Sequence, residues 1–288
     1  MHQNAYDVFM PGHRSTSVVF ASPHSGRDYG WAFLRRSALD EHTIRSSEDA
    51  FVDMLFADAP AQGAPLLVAR APRAFVDFNR GPEELDPALI RGLKRGGHNP
   101  RVSSGLGVIP RVVAGGREIY RGKLTLAEAQ ARLQEHWFPY HARLQALLNE
   151  SNALFGQSLL VDCHSMPHEA VQSLCRTGTV KPEIVVGDRF GAAAAGEMVD
   201  RIEAAFRNAG FKVGRNTPFA GAYTAQAYGR PSRRQHVVQI EIDRSLYMNE
   251  AEIRPNGNFD NLRRLLGGII AEIAEIGRPA DEMPLAAE

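Results

Sequence analysis

Apolar residues run along this chain in two ways. Short blocks rich in Val, Ile, Leu and Phe predict strands over residues 17–22, 66–69, 74–78, 158–162, 183–186, 212–213 with its neighbours, and 236–242. Longer stretches, in which apolar positions recur every three or four residues, predict helices over 47–59, 126–155, 192–209 and 259–276. Strands alternating with helices put the chain in the α/β class. The second helix opens on Thr125-Leu126-Ala127-Glu128, a capping box. Leu126, Leu133, Leu144, Leu147 and Leu148 give it an apolar face, and Pro139 predicts a kink. The third helix ends at Asn208-Ala209-Gly210, a good stop. Residues 81–122 are rich in Gly, Pro and Arg and nearly free of periodicity. So long an irregular segment is either a lid or substrate loop, or a surface excursion without a role.

The pattern places chemistry at strand ends. In "VVFASPHSG", residues 18–26, an apolar strand runs out into His24, and Gly26 suits a tight turn. In "SLLVDCHSM", residues 158–166, another delivers His164. Ligands of open α/β sheets bind at that edge. "RSSEDAFVDML", residues 45–55, adds Glu48 and Asp49 just ahead of a predicted helix. Two imidazoles and one carboxylate make a catalytic zinc set with a fourth position left for water. The same acids also read as a Ser-x-x-Asp helix cap. In "HVVQIEIDRSLYM", residues 236–248, Val238, Ile240 and Ile242 alternate with Gln239, Glu241 and Asp243. Glu241 therefore faces away from the isoleucines, as a general base beside a metal-bound water or on a solvated strand face. "FVDFNRGPEELDP", residues 75–87, ends a predicted strand in Asn79-Arg80. That guanidinium either clamps a substrate carboxylate or pairs with Glu83, Glu84 or Asp86.

Composition narrows the classes. Lys+Arg and Asp+Glu both total 33, which argues against a surface built for nucleic acid or anionic lipid. Lysine occurs only at 94, 123, 181 and 212, so arginine carries most of the positive charge. Planar guanidinium suits carboxylate ligands, although coding bias produces the same excess. The two cysteines, Cys163 and Cys175, make no disulfide framework. No apolar stretch approaches the length of a membrane span, and "MHQNAYDVFMPGHRS" does not read as a signal peptide, so the expected compartment is the cytoplasm. His-Glu-x-x-His, Gly-x-Ser-x-Gly, Walker A and Gly-x-Gly-x-x-Gly patterns are all absent.

These segments together resemble the N-formylglutamate amidohydrolase family. The markers are "SPHSGRDY", "SEDAFVD", "FVDFNR", "IPRVVAGGREIYRGKL", "DCHSMP", "PFAGAYTAQAYGRP" and "QIEIDRSLYM", in one order from about Ser17 to Ala271. The resemblance implies a single-domain, three-layer α/β/α fold with a central mixed sheet, similar to zinc carboxypeptidases and aspartoacylases. It implies Zn2+ held by His24, His164 and a carboxylate, Asp49 with Glu48 as the alternative, and Glu241 as the base. It further implies that Arg80, with Asn79 beside it, binds a substrate carboxylate, and makes Tyr223 and Arg230 weaker candidates. The sequence departs from the family pattern at Ala222, usually glycine, and at Ala227, often histidine. The implied reaction is hydrolysis of an N-acylated acidic amino acid, N-formyl-L-glutamate first, with no nucleic-acid or membrane partner. The competing readings are a related zinc hydrolase of another N-acyl amino acid or small peptide, a hydrolase using Cys163 as nucleophile, and a non-enzymatic carboxylate-binding module.

Overall fold

The computed structural model describes residues 5–94, 99–174 and 181–279. Cys175 lies outside them. Seven strands form one sheet: β1 (Tyr6–Phe9), β2 (Val18–Ser22), β3 (Leu66–Ala69), β4 (Ser158–Met166), β5 (Ile184–Gly187), β6 (Val213–Arg215) and β7 (Gln235–Asp243). Their spatial order is β1-β3-β2-β4-β7-β5-β6. β3, β2, β4 and β7 run parallel, β1 and β5 join antiparallel, and β6 runs parallel to β5. The helices are α1 (Trp31–Arg36), α2 (Val52–Leu55), α3 (Pro100–Ser103), α4 (Leu126–Arg132), α5 (Phe138–Phe155), α6 (His168–Leu174), α7 (Gly196–Asn208), α8 (Tyr223–Tyr228) and α9 (Phe259–Ile276).

Period-two alternation decides which strand residues face which helical layer. Val18 and Phe20 of β2, Val161 and Cys163 of β4, and Val238, Ile240 and Ile242 of β7 share one core with α7 and α9. Val19 and Ala21, Leu160 and Val237 face the other way, onto Tyr140, Leu144, Leu147 and Leu148 of α5. The mixed sheet thus lies between two helical layers, the expected α/β/α arrangement. Both central strands are buried on both faces, so their polar residues are inside the protein.

Three expectations change. Residues 74–78 form no strand: Ala74, Val76 and Phe78 are buried and Phe75 half-buried, but the backbone turns, with Phe75 and Val76 both donating to the Pro72 carbonyl. The helix expected over 47–59 shrinks to α2, because Phe51 takes a left-handed backbone (φ 67°) and a separate 3₁₀ turn covers Thr43–Ser47. The helix over 126–155 is divided. Its capping box is present, with Thr125 and Glu128 bonding reciprocally. Between α4 and α5, Leu133–Trp137 is a π-turn, closed by Phe138 N–H on the Leu133 carbonyl. Pro139 has no N–H for the Glu135 carbonyl and its ring would collide with it, so the widened turn falls where the kink was expected.

Candidate metal centre and substrate cavity

His24 follows the end of β2, held where the chain passes close to residues 70–71. A Cβ at Gly26 would stand 2.3 Å from the Ala71 carbonyl oxygen, so this glycine serves a close backbone approach and not the expected φ-driven turn. His164 sits within β4, which continues two residues beyond it to Met166. Asp49 N–H donates to the His24 carbonyl (3.0 Å), tying the third segment to the first.

The three side chains converge. His24 Nδ1 and His164 Nδ1 are 3.1 Å apart, and Asp49 Oδ2 is 3.3 Å from the first and 3.0 Å from the second. All three residues are buried. Nitrogen and oxygen ligands about 2.0–2.1 Å from one tetrahedral zinc stand roughly 3.3 Å from each other, so this donor set fits such an ion. Glu48 turns away: Tyr29 Oη donates to it at 2.7 Å and Arg45 reaches both its oxygens. Neither acid caps α2, whose N-cap is Phe51, so the capping reading of residues 46–49 does not hold.

Each imidazole rests its other nitrogen on a carboxylate. His24 Nε2 is 2.8 Å from Asp77 Oδ1 and His164 Nε2 is 3.1 Å from Asp162 Oδ2. Such contacts fix each ring and favour a proton on Nε2, so Nδ1 is the nitrogen each imidazole turns toward Asp49 and would offer to an ion. Burial alone would raise the Asp49 carboxyl, but hydrogen bonds from His164 and His24 outweigh it and hold the group well below the usual range. Burial likewise opposes a charge on His164, yet Asp162 and Asp49 hold its pKa well above the ordinary value. The pocket is thus negative around its imidazoles, as a cation-binding site requires. Arg244, just past β7, donates to Asp49 Oδ1 (2.9 Å) and to Ser165 Oγ (3.2 Å).

Glu241 pairs in register with His164 across β4 and β7, and so shares its face of the sheet. It is buried, which excludes the solvated-face reading. Burial, reinforced by Asp49, pushes its carboxyl up to about 7 against the pull of His164, Arg73 and Arg244. Gln239 Nε2 donates to Glu241 Oε1 at 2.8 Å and orients it.

Asn79 and Arg80 arrive on the irregular loop 72–80. Asn79 Nδ2 donates to Asp162 Oδ2 and Gln239 Oε1 (both 3.4 Å), and its Oδ1 accepts from Thr224 N–H (2.8 Å), so both ends of its amide bind protein. Arg80 Nε donates to the Leu106 carbonyl and Nη1 to the Asn79 carbonyl. It is 7% exposed, and among the described residues no carboxylate pairs with it, which removes the expected alternative partners Glu83, Glu84 and Asp86. Burial pulls its pKa down, partly offset by Asp77. Arg80 lines a cavity of about 740 Å³ together with His24, Asp49, His164 and Glu241. Arg73, Arg101 and Arg244 add further guanidinium groups, and Leu106, Phe190 and Phe219 give the wall apolar surface.

Two expected residues are not brought here. Tyr223 packs its ring on Trp137 and His141 (centroids 5.6 and 5.5 Å) and is not among the lining groups. Arg230 is exposed and turns back to the Gln226 and Gly229 carbonyls. Cys163 points into the opposite core, where burial raises its thiol pKa strongly, so it is no nucleophile for this cavity. Four residues escaped the sequence reading: Asp77, Asp162, Arg73 and Arg244. Asp162 carried a signal, since it stands two before His164 in one strand and therefore on the same face. Asp77 lies in the segment read as strand, 74–78, with Arg73 just before it, and nothing local marked Arg244.

The family model described as N-formylglutamate amidohydrolase matches residues 16–248. An N-formylglutamate deformylase from Pseudomonas aeruginosa is 29% identical over 240 residues, covering 81% of this chain and 82% of its own. A counterpart of the same name from Pseudomonas putida is 26% identical, covering 82% and 83%. The crystal structure of an N-formylglutamate amidohydrolase from Ralstonia eutropha superposes with a TM-score of 0.90 at 33% identity, over 96% of this chain and 99% of that one.

Proposed function

The chain belongs to the N-formylglutamate amidohydrolase family, and on that premise we propose that it hydrolyses N-formyl-L-glutamate to L-glutamate and formate at a zinc ion held by His24, Asp49 and His164. The observation that carries this reading is the meeting of His24 Nδ1, His164 Nδ1 and Asp49 Oδ2 within 3.3 Å of one another. Asp77 and Asp162 behind the imidazoles, and Glu241 beside them, complete a hydrolytic centre.

Zinc held by His24, Asp49 and His164 would supply a Lewis acid and would lower the pKa of a bound water toward about 7. Glu241, poised near neutrality by its burial, takes the proton of the attacking water and returns it to the amide nitrogen as the C–N bond breaks. Asp77 and Asp162 keep the imidazoles in the tautomer that leaves Nδ1 free to ligate. Arg244 holds Asp49 in place through Oδ1. Arg80, short of a protein carboxylate, takes one from the substrate and aligns its amide. Described residues of the segment 81–122, Arg101, Leu106 and Val112 among them, supply part of the substrate wall. Among the described residues no helix is long and apolar enough to cross a membrane, and a cytoplasmic site belongs to the same proposal.

The test is a metal assay on the purified protein together with formate release from N-formyl-L-glutamate. No formate from zinc-loaded protein would defeat the reading. A second reading, an N-acyl group larger than formyl, is favoured by the size of the cavity, about 740 Å³. A series of N-acyl-L-glutamates of rising chain length separates the two.

A further inference from the structure

The loop 72–80 carries Arg73, Asp77, Asn79 and Arg80 without regular secondary structure, so its backbone carbonyls need partners from elsewhere. Three side chains of one helical rod provide them. Arg132 Nη1 donates to the Phe75 carbonyl (3.2 Å), Trp137 Nε1 to the Arg80 carbonyl (3.0 Å), and His141 Nε2 to the Phe78 carbonyl (2.9 Å). The spacing from 132 to 137 is five residues. On an ideal α-helix such residues point about 140° apart and cannot serve one strip of loop. In a π-turn residues five apart are one turn apart and share a face. The π-turn Leu133–Trp137 occupies that interval, and the rod returns to α geometry so that Trp137 and His141, four apart, stack with ring centroids at 3.9 Å.

We propose that the π-turn is a registering device for the substrate clamp: it puts Trp137 on the face already used by Arg132 and His141, and the Trp137 indole N–H positions Arg80. The chain of contacts is short. The indole fixes the Arg80 carbonyl, and Arg80 Nη1 and Nε are anchored to the Asn79 and Leu106 carbonyls. Trp137 is buried and does not line the cavity, so it touches no substrate and acts through Arg80 alone. Tyr223, expected at the substrate, instead packs tilted against Trp137 and edge-on against His141. The role given to Arg80 rests on the function proposed above, and the assignment of Trp137 deepens it.

The experiment is a double-mutant cycle between Trp137→Phe and Arg80→Ala on zinc-loaded protein, reading KM and kcat for N-formyl-L-glutamate and, by calorimetry, Kd for L-glutamate. Trp137→Phe is expected to raise KM and Kd about tenfold, with kcat within about twofold and metal content unchanged. In the Arg80→Ala background the same change is expected to raise neither, because the group it positions is gone. Equal losses in both backgrounds, a fall in kcat alone, or no change would overturn the proposal. Replacing Trp137 by 3-benzothienylalanine, which keeps the bicyclic shape and lacks only the N–H, must reproduce the KM effect; if it behaves as wild type, the hydrogen bond has no positioning role. Wild-type protein that binds glutamate but releases no formate would defeat the reaction while leaving the Kd cycle to judge Trp137. Wild-type protein that binds no glutamate would defeat both.

Discussion

At the residue scale the site is a set of buried charges that balance only as a group. Glu241 is the sharpest case: buried, in register with His164, and held near neutral pKa by burial itself. Glu241→Gln is expected to keep stoichiometric zinc and lose about 10³-fold or more in kcat, measured by formate release beside metal analysis. Unimpaired turnover would remove its role as base. Asp162→Asn weakens the acceptor behind His164. It is expected to cost roughly 10- to 100-fold in zinc affinity, read by competition with a chelator, and an unchanged affinity would reduce Asp162 to a bystander. His24, His164 and Glu241 were visible in the sequence because each follows or interrupts an apolar strand where hydrocarbon is the rule. Asp77 was not, since its role depends on a loop whose fold is written in helices more than fifty residues downstream. Tyr223 and Arg230 were misplaced for a related reason: a motif shows which residues occur together, while packing decides which of them face the cavity.

At the scale of elements, close approach and capping do the positioning. Gly26 lets the His24 segment lie against residues 70–71, and a methyl group there meets backbone atoms that cannot rotate aside. Gly26→Ala is expected to destabilise by about 2–3 kcal/mol, seen as a lower urea midpoint at unchanged slope. His141 joins α5 to the site loop as a neutral ring, its Nε2–H donating to Phe78 and its Nδ1 accepting from Tyr228 Oη. Burial lowers its pKa from 6.5 to about 4. The unfolded chain then binds the proton more readily, so this contribution is complete above about pH 6.5 and is lost as the pH falls toward 4. A shift of that size amounts to roughly 3 kcal/mol. Stability curves for His141→Gln should be flatter than wild type across that window, and parallel curves would refute the assignment. Most elements were legible from periodicity and caps. The strand expected over 74–78 failed because alternating apolar residues can bury themselves in a turn as well as in a ladder, and among the described residues no strand pairs with it.

For the whole molecule, the proposed ligands at 24, 49 and 164 come from segments widely separated along the chain, so an ion bound to all three would exist only in the folded state. Zinc is therefore expected to raise the thermal midpoint, by about 10 °C at saturating metal, and a chelator to remove that gain; a midpoint indifferent to chelation would tell against the site. Hydrophobic periodicity was enough to establish the α/β class, most strand and helix positions and the histidines at the sheet edge, because burial imposes a local period on any chain that folds this way. The resemblance already preferred Asp49 to Glu48, but the carboxylates behind each imidazole, an Arg80 guanidinium with no carboxylate partner among the described residues, and the π-turn beside it emerge only in three dimensions. Those choices depend on the directions of side chains from distant segments, and such directions are set by packing and shared hydrogen bonds and not by any spacing along the chain.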